Sequence, residues 1–229
     1  MPPRFTHRAT LRYRLRVYAL NIRALRGHKK QPYNNMKLLA VFALKEEIVP
    51  VSFKGWDVVT VQTGITEPYA AARLGHAIAT EKPDLVINFG TAGTLKHSVG
   101  DILVCTRFVE RNIASGPFTS VGSELTSDTP FAAGFPSVVG ENPSSERFTV
   151  NTGSDFVTAE SEIDGDAVDM EAFANALTAK EFGVPFFAVK YITDVIGQNS
   201  MKIWEERLSA ARTAISQYLV GCTLPTSEN

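Results

Sequence analysis

Two carboxylates, Glu171 and Asp194, stand at the two ends of one predicted helix-then-strand unit in this 229-residue chain. In the run Ala167-Val168-Asp169-Met170-Glu171-Ala172-Phe173-Ala174, Glu171 opens a stretch that reads as a helix, with Met170, Phe173, Ala174 and Leu177 at the three- and four-residue steps of one buried face. Gly183 stops that helix and Pro185 prevents its return. The next run, Pro185 to Thr193, is rich in aromatic and β-branched residues and reads as a strand buried on both faces, ending at Asp194. In open α/β sheets ligands bind beyond the carboxyl ends of the strands, so an acid at that point is placed to meet one. Spacing alone leaves the plainer alternative open: Asp is also a common cap and turn residue.

A second candidate follows the predicted strand Asp84 to Phe89. There Gly90-Thr91-Ala92-Gly93-Thr94 reads as a turn of small residues that lets a ligand approach the backbone and offers N–H groups to anions or hydroxyls. The elements that must position these groups alternate strand and helix with short connections from Met36 onward, which predicts a largely parallel α/β sheet. Leu38 to Leu44, Asp57 to Thr63, Asp101 to Cys105 and Arg147 to Thr152 read as further strands, Pro68 to Ile78 as a helix, and Met201 to Val220 as a closing amphipathic helix. Ser115 to Ser145 is rich in Gly, Pro, Ser and Thr without a period, and is expected to be a long loop that could cover a site. The expected fold is a three-layer αβα single domain over residues 36–222 with a central mixed, largely parallel sheet, followed by a frayed polar tail, 223–229.

Composition narrows the function classes. With 44% hydrophobic residues and no apolar run of membrane-spanning length, the chain reads as a globular domain with no membrane contact. Cys105 and Cys222 lie in no metal-type spacing, and His76 and His97 form no cluster with them, so no metal, no cofactor and a reducing, cytoplasmic setting are expected. The net charge of −1 hides an asymmetry, since residues 1–35 hold nine Lys and Arg and no acid. The remainder carries fourteen basic against twenty-four acidic residues, about −10. The leader has the Arg-rich character of an organelle transit peptide but contains no serine, and the domain is expected to begin at Met36. So acidic a body argues against a nucleic-acid partner.

Taken in order, Val86 to Gly93, Val168-Asp169-Met170-Glu171-Ala172 and Ile192-Thr193-Asp194 resemble the nucleoside phosphorylase and nucleosidase superfamily, most closely its 5′-methylthioadenosine/S-adenosylhomocysteine nucleosidases. The resemblance covers about residues 36 to 221 and is weak in the middle loop. It implies a hydrolase that cleaves the N-glycosidic bond of adenine nucleosides and works as a homodimer. Asp194 would protonate the purine at N7, a general-acid role typically contributing on the order of 10²–10⁴-fold. Glu171 and Met170 would hold the ribose, Phe156 would stack on the base, and Val157 would read its edge. Thr91 would lie near the nucleophile, and Trp204 near the 5′ substituent or, as an alternative, in the core.

Two positions bear on whether water or phosphate attacks. Glu47 falls where the nucleosidases keep the glutamate that activates water. Asn88 stands where hexameric phosphorylases carry an arginine, and it cannot supply a phosphate-binding charge. Against them, Arg207 lies thirteen residues after Asp194, a spacing at which those phosphorylases place an arginine. Its plainer reading is an exposed cation paired with Glu206 or its neighbours. A purine nucleoside phosphorylase and a non-catalytic nucleoside-binding module are the alternative functions.

Overall fold

The computed structural model describes residues 36–116, 122–157, 165–198 and 200–226. The basic leader, and every reading made of it, lies outside these residues.

In chain order the elements are β1 (Met36–Phe42), β2 (Trp56–Gln62), α1 (Glu67–Glu81), β3 (Leu85–Thr94), β4 (Ile102–Glu110), α2 (Arg111–Ala114), β5 (Glu124–Thr126), β6 (Ser137–Val139), β7 (Asn142–Ser144), β8 (Phe148–Thr152), β9 (Ala167–Asp169), α3 (Ala172–Phe182), β10 (Phe186–Val195) and α4 (Ser200–Val220). All the strands join one mixed sheet. β2, β1, β3 and β10 run parallel side by side. β4 lies antiparallel against the far side of β10, β8 is parallel to β4, and β9 is parallel to β8. A short antiparallel pairing, Gly93 with Val168, brings β9 back to β3. Strands β3, β10, β4, β8 and β9 therefore close a circuit.

Alternation along the strands fills a core on each face of the sheet, because successive strand side chains point opposite ways. Leu38, Ala40 and Phe42 face one way and pack with Leu85, Ile87 and Phe89, under Ala211 and Ile215 of α4. Leu39 and Val41 face the other way, under Leu74 and Ile78 of α1 and Phe173, Ala176 and Ala179 of α3. These are the three layers expected. Each such Leu, Ile or Phe contributes about 1.5–3 kcal/mol by leaving water. Among the described residues no helix is long and apolar enough to cross a membrane.

Several expectations give way. Gly90 to Thr94 is no turn: β3 runs through it to Thr94, paired in parallel with β10. The glycines serve close approach, since a Cβ on Gly90 would meet Glu47 Oε1 at 3.3 Å and one on Gly93 would meet Asp194 Oδ2 at 3.1 Å. Leu177 is 40% exposed, because the buried face of α3 follows Phe173, Ala176 and Ala179. The segment 115–145, expected to be one long loop, holds β5, β6, β7 and a 3-10 turn, Pro130–Gly134. Three-residue strands are too short for alternation to register in a Gly- and Pro-rich stretch. The tail is not frayed at its start: Leu224 is buried, and Trp56 Nε1 donates to the Pro225 carbonyl at 3.0 Å.

Candidate active site

Where β1 ends, a 3-10 turn, Lys45–Glu47, folds Glu47 back beneath β3. Its carboxylate is buried and held from two sides. Oε2 accepts from the Leu44 N–H at 3.1 Å, while Oε1 accepts from the Thr91 N–H at 2.9 Å and the Thr91 hydroxyl at 2.8 Å. The space this needs is the space Gly90 leaves open.

Asp194 lies at the end of β10, next to a register shift between Ile192 and Asp194. Such an irregularity re-aims a side chain, and here the carboxylate points at the gap left by Gly93. Thr193 Oγ1 donates to Asp194 Oδ1 at 2.8 Å. The exposed ion pair expected between Arg207 and Glu206 is not formed. Arg207 is half-buried and its Nη1 donates to the Thr193 carbonyl at 2.6 Å, while Glu206 lies 3.8 Å from Lys202.

Glu171 occupies the N-cap position of α3 but makes no side-chain cap. Asp169 supplies that bond, accepting from the Ala172 N–H at 3.0 Å and from the Thr152 hydroxyl at 2.6 Å. Glu171 is thereby left to the cleft, where its Oε1 accepts from the Thr66 N–H at 3.0 Å. Burial first, and then the charge of Asp169, push the Glu171 carboxyl up to about 8, against the opposing pull of Lys190 and the Thr66 N–H.

Under the cleft floor, Lys190 Nζ lies 2.8 Å from Asp169 Oδ2 and donates to Asn88 Oδ1 at 2.7 Å. Burial works to lower the Lys190 pKa, but Asp169, Glu171 and Glu47 outweigh it and hold the ammonium above its usual value. Neither Asp169 nor Lys190 was assigned a place at the site from sequence. The available signal was a lone lysine inside a strand read as buried on both faces, which must find a carboxylate.

Phe156 and Val157 form the opposite wall, reached through Gly153, Ser154 and Asp155. The Arg111 guanidinium holds this approach, donating to the carbonyls of Asn151 and Asp169 at 3.3 Å each, to that of Gly153 at 3.1 Å, and to Asp155 Oδ1 at 3.1 Å. Together these groups enclose a cleft that opens to solvent at its mouth. Glu47, Thr91, Phe156, Val157, Met170, Glu171, Asp194 and Trp204 all line it. Ile65, Asp155 and Asp169 line it as well and were missed as site residues, while none of the described residues between 115 and 145 does. Among the described residues no group of three His, Cys, Asp or Glu side chains is placed to hold a metal.

A mixed sheet closed around β10 brings Glu47, Glu171 and Asp194 to one cleft beside the ends of its strands. The chain belongs to the Phosphorylase superfamily, whose profile matches residues 22–222. Among its relatives, a 5′-methylthioadenosine/S-adenosylhomocysteine nucleosidase of Marinomonas sp. (strain MWYL1) is 27% identical over 178 residues, 69% of this chain and 77% of that protein. The S-adenosylhomocysteine nucleosidase of Streptococcus pyogenes, solved in complex with 5-methylthiotubericidin, superposes with a TM-score of 0.70 at 21% identity, covering 83% of this chain and 97% of that one. A 5′-methylthioadenosine/S-adenosylhomocysteine nucleosidase from Colwellia psychrerythraea 34H in complex with adenine does so with a TM-score of 0.68 at 21% identity, covering 84% and 99%.

Proposed function

We propose that this protein is an N-glycosidase that hydrolyses adenine nucleosides of the methylthioadenosine and adenosylhomocysteine type to adenine and a free ribose derivative. The observation that carries this reading is the seating of Glu47. Its carboxylate takes the Leu44 N–H, the Thr91 N–H and the Thr91 hydroxyl, the donors an incoming oxyanion would need. Phosphate would have to displace a buried carboxylate of like charge. Water does not.

In the proposed reaction the purine stacks on Phe156, with its edge at the Val157 backbone and N7 at Asp194. Met170 contacts the sugar, and the Glu171 carboxyl accepts hydrogen bonds from the ribose hydroxyls. As the C1′–N9 bond lengthens its electron pair moves into the purine, and Asp194 delivers a proton to N7. The sugar takes on oxocarbenium character. A water oxygen bonds to C1′ and Glu47 takes its proton. Leu44, Ile65 and Trp204 offer an apolar surface to the 5′ substituent.

The test is adenine release from 5′-methylthioadenosine in phosphate-free buffer, with the free sugar as co-product. Strict phosphate dependence with ribose 1-phosphate formed would assign a phosphorylase instead. No release from any 5′-substituted adenosine would leave a binding module.

The cellular reading is a homodimeric cytoplasmic enzyme of nucleoside catabolism and methionine salvage. Tyr69 on α1, 59% exposed, and Phe182 on α3, 51% exposed, support a subunit contact across these packed helices. Sedimentation at micromolar concentration tests it, and a monomer there removes it.

A further inference from the structure

Trp204 lines the cleft and turns the N–H edge of its indole toward Thr91. Nε1–H donates to Thr91 Oγ1 at 2.9 Å, and that hydroxyl donates to Glu47 Oε1 at 2.8 Å. The direction of this chain is dictated by its members. An indole nitrogen only donates, a carboxylate only accepts, and a threonine hydroxyl has one proton to give. While Trp204 occupies a lone pair of Thr91 Oγ1, the hydroxyl proton is committed to Glu47. The ring is itself held, with its centroid 6.2 Å from that of Phe156 at an interplanar angle of 62°.

We propose that Trp204 is a positioning residue for Glu47: its indole N–H orients the Thr91 hydroxyl onto the carboxylate and so fixes the lone pairs that face the attacking water. The effect falls on turnover more than on substrate binding. The same helix also reaches the other carboxylate. Arg207, three residues along α4, donates to the Thr193 carbonyl, and the Thr193 hydroxyl donates to Asp194. One end of α4 thus connects to both groups that move protons, from outside the turn that carries Glu47 and the strand that carries Asp194. This inference rests on the hydrolase reading above.

The experiment compares Trp204→Phe, which keeps a ring and loses the N–H, with Thr91→Val, Thr91→Ser and the double variant Trp204→Phe/Thr91→Val. Expected is about a tenfold fall in kcat for Trp204→Phe with KM within about threefold, a difference that belongs to the transition state. Thr91→Ser, which keeps the hydroxyl, is faster than Thr91→Val, and the double variant is no slower than Thr91→Val alone, as members of one chain require. An independent readout is the indole N–H resonance. The chain has two tryptophans, and the Trp204 signal, assigned by its loss in Trp204→Phe, moves upfield in Thr91→Val.

A rise in KM with kcat unchanged overturns the proposal and makes Trp204 a wall of the pocket. An indole signal that ignores Thr91→Val overturns it too. If the signal responds but the wild-type protein releases no purine under any condition, the hydrolase reading fails and takes the catalytic role of Trp204 with it, while the hydrogen-bond chain stands.

Discussion

The Oε1 atom of Glu47 lies 2.9 Å from the Thr91 backbone nitrogen and 2.8 Å from the Thr91 hydroxyl oxygen, so the protein binds its own carboxylate as it would bind an anion. Glu47→Gln keeps an acceptor for the Thr91 N–H but cannot take a proton from water. It is expected to lower kcat on the order of 10²–10⁴-fold with KM changed only a few-fold, as loss of a general base does. Glu47→Gly vacates the donors, and added formate is expected to restore part of its turnover. Steady-state kinetics with a formate titration checks both.

Gly93 and Asp194 give a second prediction. A methyl group on Gly93 would stand 3.1 Å from Asp194 Oδ2 and 3.4 Å from Ile196, so Gly93→Ala must push the carboxylate off its line. Overpacking of this kind costs roughly 1–3 kcal/mol of stability. The expected catalytic loss is larger than that, about tenfold or more in kcat, since small displacements of a reacting group are costly. Melting curves and kcat on the same sample separate the two effects.

How much of this was legible in the sequence differs from residue to residue. The eight residues named with the family resemblance all line the cleft. Gly90 and Gly93 were read as a turn because composition shows that space is needed, not what fills it. Here the occupants come from far along the chain, Glu47 on one side and Asp194 on the other. Lys190 lay in plain view inside an apolar strand, yet its partner Asp169 sits 21 positions away beyond a helix, a pairing that only the β9 and β10 geometry brings about. Ile65 and Asp155 carry no periodic signal, since both stand in connections between elements. The layers themselves were readable from strand alternation, whereas the three-residue strands between 124 and 144 were not.

Lys190 and Asp169 form a buried ion pair at 2.8 Å, each side chain 2% exposed. Removing one partner leaves an uncompensated charge, at a cost of about 3–5 kcal/mol. Lys190→Met should therefore lower Tm by roughly 6–20 °C at about 2–4 °C per kcal/mol. Lys190→Met/Asp169→Asn should recover much of that fall, because the Asp169 carboxylate is then no longer stranded. Calorimetry of the two variants is the check, and equal losses in both would reject the pairing as the cause.

Glu171 predicts a pH dependence of stability. Its folded-state pKa, about 8, lies above the ordinary 4.5, so between these values the folded protein holds a proton that the unfolded chain releases. Stability then falls as pH rises from about 4.5 to 8 and levels off beyond. Glu171→Gln keeps an acceptor for the Thr66 N–H and removes the titration. Its Tm should match that of the wild type near pH 4.5 and exceed it increasingly toward pH 8. A constant difference across that range would mean that the carboxyl ionises normally.

The strand circuit has a consequence for how the molecule comes into being. β10 enters the sheet between β3 and β4, and the bond from Lys190 to Asn88 spans 102 residues. Loops of that length must close before their contacts reward them, which slows folding. Nearly the whole domain must leave the ribosome before its central strand exists. Until then neither the floor of the cleft nor its acid is present, so in refolding the return of activity should coincide with the slow burial of the core.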